Sequence, residues 1–405
     1  MFYRKKIQCH SIVKNAKFSQ DVIDFIHKNE NADPYALVLK KSPFAEVEMK
    51  VIAQQIQGRK TAKRKFPFLL EIDQYRYPKK ESLEQASSEQ TALFKSNILS
   101  GNSFVDLTGG MGIDTYLLGR NFDSSVYLEP NQELYKLTKQ NFKELDFDQC
   151  QTFNTSCEKF LTTNKQKYDW AYIDPSRRID GNRKTSINNY EPNLVELQNE
   201  ISEIAENVLV KLSPMQDISE CVNVLENVYK IWVVSIQNEV KELLLHLKSN
   251  NNPSPDVSAI DINKEEEVQF THRFDDRVCQ VDLVKIKKYL YQPSSAIVKA
   301  ELHNRYASGL GLEKLHPNTH LYTSEKRMVK FMGRIFLVNE SINLNKKELK
   351  RALPQMKANV ITKNFPLSPS EFAKKYKLKD GGEKYLIGYT DLQNESKVCI
   401  CDRIK

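Results

Sequence analysis

Val105-Asp106-Leu107-Thr108-Gly109-Gly110-Met111-Gly112-Ile113-Asp114 reads as a short apolar strand running into a glycine-rich turn and then a helix. Glycines in such a turn let a ligand approach the backbone closely, and the helix start offers free N–H groups. A phosphate loop would need Gly-x-x-x-x-Gly-Lys, which is absent, and the dinucleotide fingerprint fails because Thr115 stands where its last glycine belongs. Asp106 narrows the choice further. A carboxylate at the strand end repels a pyrophosphate but attracts a cation, so the expected ligand is positively charged near the loop.

Two acidic positions downstream extend this reading. Glu129, in Tyr127-Leu128-Glu129-Pro130, ends the next apolar run, where a carboxylate accepts hydrogen bonds from both hydroxyls of a ribose. A nucleoside carrying an ammonium and a sulfonium, S-adenosylmethionine, satisfies both demands. Asp174 follows a third run in Tyr172-Ile173-Asp174-Pro175-Ser176-Arg177-Arg178. In an open parallel sheet the carboxyl ends of the strands face the ligand crevice, so Asp174 would accept a hydrogen bond from a substrate N–H, with Pro175 stiffening the turn that aims it. Arg177 and Arg178 would clamp a phosphate beside the target. Taken alone, the segment would be only a capped Asp-Pro turn with two surface arginines.

Outward from these loops, apolar runs at 104–107, 125–128, 170–173, 208–212, 231–236 and 257–262 alternate with amphipathic stretches, and a weaker run at 151–153 supplies a third position. This alternation predicts an α/β fold with a Rossmann-like, doubly wound parallel sheet. The spacing further predicts helices over 18–26 and 43–57, a Ser87-Ser88-Glu89 cap on a helix through Phe94, a loop at 250–255 and a strand over 278–286. Asn238-Glu239-Val240-Lys241-Glu242 reads as a helix cap with a charged first turn.

The 405 residues exceed one ordinary core. Seven scattered cysteines without a CxxC pair argue against a disulfide framework or a zinc ribbon, and for a reducing cytoplasm. With no apolar run of membrane-spanning length and no apolar segment behind the charged start, the chain is expected to be neither exported nor membrane-bound. The first 65 residues hold fourteen basic and six acidic residues, which is the whole net charge of +8. The density peaks at Arg59-Lys60-Thr61-Ala62-Lys63-Arg64-Lys65, a row suited to phosphates, with Arg59, Lys60, Lys63, Arg64 and Lys65 as contacts. A solvated linker is the alternative.

Asp106 to Gly112, Glu129 and Asp174-Pro175 occur in the order and approximate spacing of the class I S-adenosylmethionine-dependent methyltransferases, which the chain resembles over residues 81–275. More narrowly, Gln85-Ala86-Ser87-Ser88-Glu89, Asp174 to Arg178 and Lys357-Ala358-Asn359-Val360-Ile361-Thr362 resemble the bacterial methyltransferases with a THUMP-like C-terminal domain. Spacing and charge give an N-terminal basic helical module at 1–80; the resemblance implies the methyltransferase domain at 81–275, a ferredoxin-like module at 276–322 and a THUMP-like domain at 323–405. It also implies S-adenosylmethionine as cofactor, held by Asp106, Thr108, Gly109, Gly110, Gly112, Glu129 and Ser156, and RNA (tRNA or rRNA) as partner. The sequence departs from the pattern twice: Thr108 replaces the first glycine of the loop, and Ser156 stands where many relatives direct an aspartate at adenine.

Carbon methylation of pyrimidines uses a cysteine nucleophile, and Ser176 occupies the loop position where one would stand. Cys157 and Cys221 read as core residues, so the expected target is a base nitrogen or another heteroatom. Lys211-Leu212-Ser213-Pro214 borders the same region or forms a plain turn. His316 and His320 are separated by Pro317 and lack a third ligand, and Cys399 and Cys401 alternate as packing residues of a strand, so no metal is expected.

Overall fold

The computed structural model describes residues 17–177, 186–248, 254–263 and 267–404. The chain divides into two units, Met1–Ile173 with Glu203–Glu206, and Asp174–Ser202 with Asn207–Lys405.

The first unit opens with helices α1 (Gln20–Lys28), α2 (Pro34–Val38) and α3 (Met49–Lys65). Val22, Ile23 and Ile26 line one face of α1 at helical spacing and pack with Phe18, Leu37, Ile52, Ala53 and Ile56. Asp33 caps α2 with Pro34 at its first position. α3 begins later and ends later than the expected 43–57, because the Ser42 hydroxyl holds a turn through Val47 O and Phe44 N and the basic run continues the helix. After α4 (Lys80–Gln85), Ser88 caps α5 (Glu89–Ser96) by accepting from Thr91 N, as the sequence predicts.

Four strands follow, β1 (Ser103–Asp106), β2 (Ser124–Leu128), β3 (Cys150–Phe153) and β4 (Tyr168–Ile173), with helices α6 (Ile113–Gly119), α7 (Gln132–Glu144) and α8 (Cys157–Thr163) between them. Their order is β4-β1-β2-β3, all parallel. Asp106 pairs in register with Tyr127 and Tyr172, so the carboxyl ends of these three strands lie level.

In the second unit a small antiparallel pair, β5 (Ser176–Arg177) with β6 (Tyr190–Glu191), precedes α9 (Leu194–Ile204). Five strands, β7 (Ala205–Leu212), β8 (Val228–Ile236), β9 (Glu239–Lys248), β10 (Asp256–Ile262) and β11 (Glu267–Arg273), run in the order β11-β10-β8-β9-β7, with α10 (Ile218–Val224) after β7. This part is mixed rather than purely parallel: β9 is antiparallel to both β7 and β8, and β11 to β10. Asn238-Glu239 is therefore not a helix cap. Gln237 and Asn238 both have positive φ, 50° and 64°, and form the two-residue turn of the β8–β9 hairpin.

The last part is one seven-stranded sheet, β13-β14-β12-β15-β18-β17-β16. It is built from β12 (Tyr289–Pro293), α11 (Ser295–Lys299), α12 (His303–Gly309), β13 (Glu313–His316) and β14 (Thr319–Ser324), then β15 (Gly333–Ile342), α13 (Lys346–Ala352), β16 (Asn359–Lys363), α14 (Pro369–Tyr376), β17 (Lys384–Thr390) and β18 (Ser396–Arg403). The β12–β15 ladder makes its two halves continuous. Residues 278–286 do not form the expected strand; only Leu283 bridges, to Lys314. Cys399 and Cys401 are buried on one face of β18, as packing residues.

Candidate active site

The loop after β1 is built by its own hydrogen bonds. Asp106 Oδ1 accepts from Thr108 N at 2.9 Å and Oδ2 from the Thr115 hydroxyl at 2.6 Å, which makes the buried carboxylate the brace of the turn. Gly109 N donates to Leu128 O at 2.8 Å, tying the loop to β2. A Cβ on Gly109 would stand 2.1 Å from the Tyr127 ring, so packing demands glycine there. Gly110 differs. Its φ is +56°, and a Cβ would meet nothing nearer than Thr108 O at 3.9 Å, so the space above Gly110 is open to a ligand. Gly112, φ +81°, leads into α6.

Glu129 reaches back across this loop. Its Oε2 accepts from Gly110 N at 3.1 Å and Oε1 from Asn131 N at 2.7 Å, and each oxygen keeps a second acceptor site. Burial pushes its pKa above the ordinary carboxylate value, opposed by the Asn131 and Gly110 N–H donors. At the end of β3, Asn154 Nδ2 donates to Glu129 O at 2.7 Å, and the Ser156 hydroxyl caps α8 by accepting from Lys159 N. Phe153, 42% exposed, offers an aromatic surface next to Glu129, whose N–H bonds Phe153 O. The sequence reading missed it because alternation alone does not show which strand-end aromatic stays uncovered. An open glycine turn, a carboxylate with spare acceptor sites and an exposed ring fit a nucleoside cofactor.

A buried network supports the loop from behind. Asp114, in the first turn of α6, accepts from the Ser87 hydroxyl at 2.6 Å and the Tyr172 hydroxyl at 2.9 Å, and pairs with the fully buried Lys95 at 3.3 Å. Lys95 also donates to Ser87 at 3.0 Å. The Gln85 to Glu89 segment thus connects to the glycine turn through Ser87.

In the second unit, Asp174 follows β4 directly in the chain and forms an ion pair with Lys211 of β7. Arg177 Nη2 donates to the Ser213 hydroxyl at 3.1 Å. Lys211 and Ser213, from the segment first read as a turn or a mouth, therefore hold the Asp174 loop. Arg178 lies outside the described residues.

The basic run is not a free row of cations. It lies in the last turns of α3, where Arg59 is buried against Glu30 at 2.7 Å, Lys63 pairs with the same carboxylate at 2.6 Å and Lys60 donates to Ala32 O at 2.6 Å. Lys65 donates to Leu83 O, Glu84 O and Ala86 O at 3.0, 2.8 and 2.6 Å, satisfying carbonyls at the end of α4. Arg59 is therefore buried rather than free for a surface phosphate, Lys60, Lys63 and Lys65 each already have a partner, and Lys63 and Arg64 are exposed. His316 bonds Asn394 and Asn318 N, and His320 lies against His303. Among the described residues no group of three or more His, Cys, Asp or Glu is placed to hold a metal ion, and no helix is long and apolar enough to cross a membrane.

Glu129 gives the site a pH signature. If its carboxylate holds the ribose, cofactor affinity is expected to fall as pH drops through its raised pKa, above the range of an ordinary glutamate, because protonation removes an acceptor. The sign for folding is opposite: the raised pKa means that ionisation of Glu129 costs native stability as pH rises. Calorimetric titration of S-adenosylhomocysteine from pH 4.5 to 8 measures the first effect; Glu129→Gln should bind weakly at every pH, and an equal slope in the variant would remove Glu129 from the site.

The THUMP domain-like family matches residues 333–403, and a ferredoxin-like domain family matches residues 289–331. A protein of Porphyromonas gingivalis W83, whose crystal structure was solved as that of a proposed methyltransferase, is 30% identical, with 96% of this chain and all of that chain covered and a TM-score of 0.85. Uncharacterised S-adenosylmethionine-dependent methyltransferases from two Mycobacterium tuberculosis strains are 22% identical over 302 residues, 74% of this chain and 80% of theirs. The cofactor is S-adenosylmethionine. By its likeness over nearly the whole chain to the Porphyromonas gingivalis protein and by its C-terminal domain, the chain belongs to the S-adenosylmethionine-dependent methyltransferases that carry a THUMP-like C-terminal domain.

Proposed function

We propose that the methyl group is transferred to a base nitrogen of RNA, tRNA or rRNA, without a covalent cysteine intermediate. The observation that carries the RNA reading is the THUMP domain-like segment at 333–403 in the same chain as the methyltransferase fold. S-adenosylmethionine supplies an electrophilic methyl on a sulfonium. The protein's part is to hold and align. The turn braced by Asp106, with Thr108 and Gly109 to Gly112, receives the amino acid end; Glu129 takes the ribose hydroxyls; Phe153 and the Ser156 region border the adenine. Asp174 accepts a hydrogen bond from the target N–H, and Lys211 fixes its carboxylate. With the methyl donor held there, Asp174 would align the target nitrogen's lone pair with the methyl group and accept, directly or through water, the proton that the nitrogen loses. Arg177 and Arg178 grip a neighbouring phosphate.

Two thiols of the methyltransferase domain are unsuited to a covalent route, since burial pushes Cys157 and Cys221 up to about 12, too high for a nucleophilic thiolate at neutral pH, and Ser176 occupies the loop. Mass spectrometry of nucleosides from a deletion strain, with and without the restored gene, is expected to show one methylated base lost and regained. No difference in any RNA fraction, with tritiated methyl appearing in protein, would make it a protein methyltransferase. Bound cofactor with no transfer to any fraction would make it a binding protein.

A further inference from the structure

The C-terminal sheet holds two cations that no carboxylate among the described residues neutralises. Arg334 is the second residue of β15 and Lys363 ends β16, and both are half-buried. Alternation puts them on one face: Arg334 is two residues from Phe336, Lys363 pairs in register with Tyr389, and Phe336, Tyr389 and Leu290 share one core cluster. Gln292, two residues from Leu290 and directly across from Arg334, stands on that face as well. It is 8% exposed, and its Oε1 has no hydrogen-bond partner.

The sheet brings distant strands together here. Asn364, next to Lys363, donates to the Thr319 hydroxyl of β14 at 3.3 Å, and Thr319 donates to Thr390 O at 3.1 Å. Burial and the nearby Arg334 guanidinium lower the Lys363 pKa, so the two charges are close enough to repel. Among the described residues no carboxylate lies within ion-pair distance of either; the neighbouring Asp402, Glu340 and Glu313 are paired with Lys384, Arg351 and Lys287. His303 and His320 add no charge at neutral pH, since burial and Lys314 hold both at about 4.

Half-buried like charges beside an unsatisfied amide weaken a fold, and an anion between them reverses the penalty. Turning the Gln292 amide by 180° presents its N–H₂ donors in place of the oxygen. A guanidinium fork, an ammonium and an amide donor suit the several acceptor oxygens of a phosphate. We propose that Arg334, Lys363 and Gln292 form a phosphate-binding site that takes a phosphate group of the RNA substrate. The proposal rests on the RNA reading above and assigns the C-terminal sheet its contact.

The test compares wild type with Arg334→Gln, Lys363→Gln and the double variant. Fluorescence anisotropy with labelled bulk tRNA and rRNA fragments is run across a salt series, alongside melting temperatures and cofactor titrations. The double variant is expected to lose RNA affinity by about tenfold or more, with a salt slope shallower by roughly 0.7 to 0.9, the loss of one phosphate contact. Its melting temperature should be unchanged or higher and its cofactor affinity unaltered, because only a repulsion has been removed. Equal affinity and slope in wild type and double variant would overturn the site and leave the RNA reading intact. Should wild type bind no RNA, that reading fails, and inorganic phosphate decides the site alone: phosphate raising the melting temperature of wild type but not of the double variant supports it, and an equal response overturns it.

Discussion

Asp174→Ala is expected to bind S-adenosylmethionine nearly as well as wild type and to transfer methyl groups about 10²- to 10⁴-fold more slowly, or about 3 to 5.5 kcal/mol in the barrier. The division of labour explains the split. Asp106, Gly110 and Glu129 form the candidate cofactor cradle at the ends of β1 and β2, whereas Asp174 opens the loop after β4 and is held by Lys211. Removing the carboxylate also leaves the mostly buried Lys211 ammonium without this partner, at a cost to stability of about 1 to 3 kcal/mol. Asp174→Asn controls for that. It keeps the shape and an acceptor oxygen near Lys211 but is a far poorer base, so its melting temperature should stay nearer wild type while transfer remains low. Cofactor titration, melting curves and tritiated-methyl transfer on the same preparations decide the matter. Transfer at wild-type rate by either variant would deny Asp174 its role.

The second large effect lies in the glycine turn, where adjacent residues should fail in different ways. Gly109→Ala places a Cβ 2.1 Å from the Tyr127 ring and 2.9 Å from Leu128 O. Tyr127 is fully buried, and its hydroxyl donates to Gly110 O at 2.6 Å, so the ring has nowhere to go. The variant is expected to lose about 3 kcal/mol or more, appearing as a lower urea midpoint. Gly110→Ala strains only the left-handed backbone, about 1 to 2 kcal/mol, and its Cβ enters the space left open above the turn. It should therefore fold but lose cofactor affinity by about tenfold or more. Wild-type cofactor affinity in Gly110→Ala would show that the ligand does not approach there; wild-type stability in Gly109→Ala would show that the loop is looser than its contacts imply.

Local chemistry accounts for what could be read in advance. The strands at 103–106, 124–128 and 168–173 were legible because each is an apolar run ending in a loop of special residues, and the Ser88 cap because a hydroxyl before a helix has a nearby N–H to accept from. β9 was not legible. Glu242-Leu243-Leu244-Leu245-His246-Leu247 is rich in helix formers, yet it lies between β7 and β8, where both faces of an extended strand are covered and every Leu in the run is buried. Tertiary burial outweighed propensity there.

The charged residues show the same limit more sharply. Sequence alone determined the α/β class, the strand-loop-helix cofactor turn, the positions of Glu129 and Asp174 at strand ends, and the concentration of positive charge before residue 66, because each follows from periodicity, backbone freedom or composition over a few neighbouring residues. Only the tertiary structure decided where the charges go: Arg59 to Glu30, Lys65 to the carbonyls ending α4, Lys211 to Asp174 across 37 residues, and Arg334 and Lys363 to no carboxylate among the described residues. A side chain's type states what it can bond, but whether a partner already occupies it depends on which distant segments the fold brings within a few ångströms.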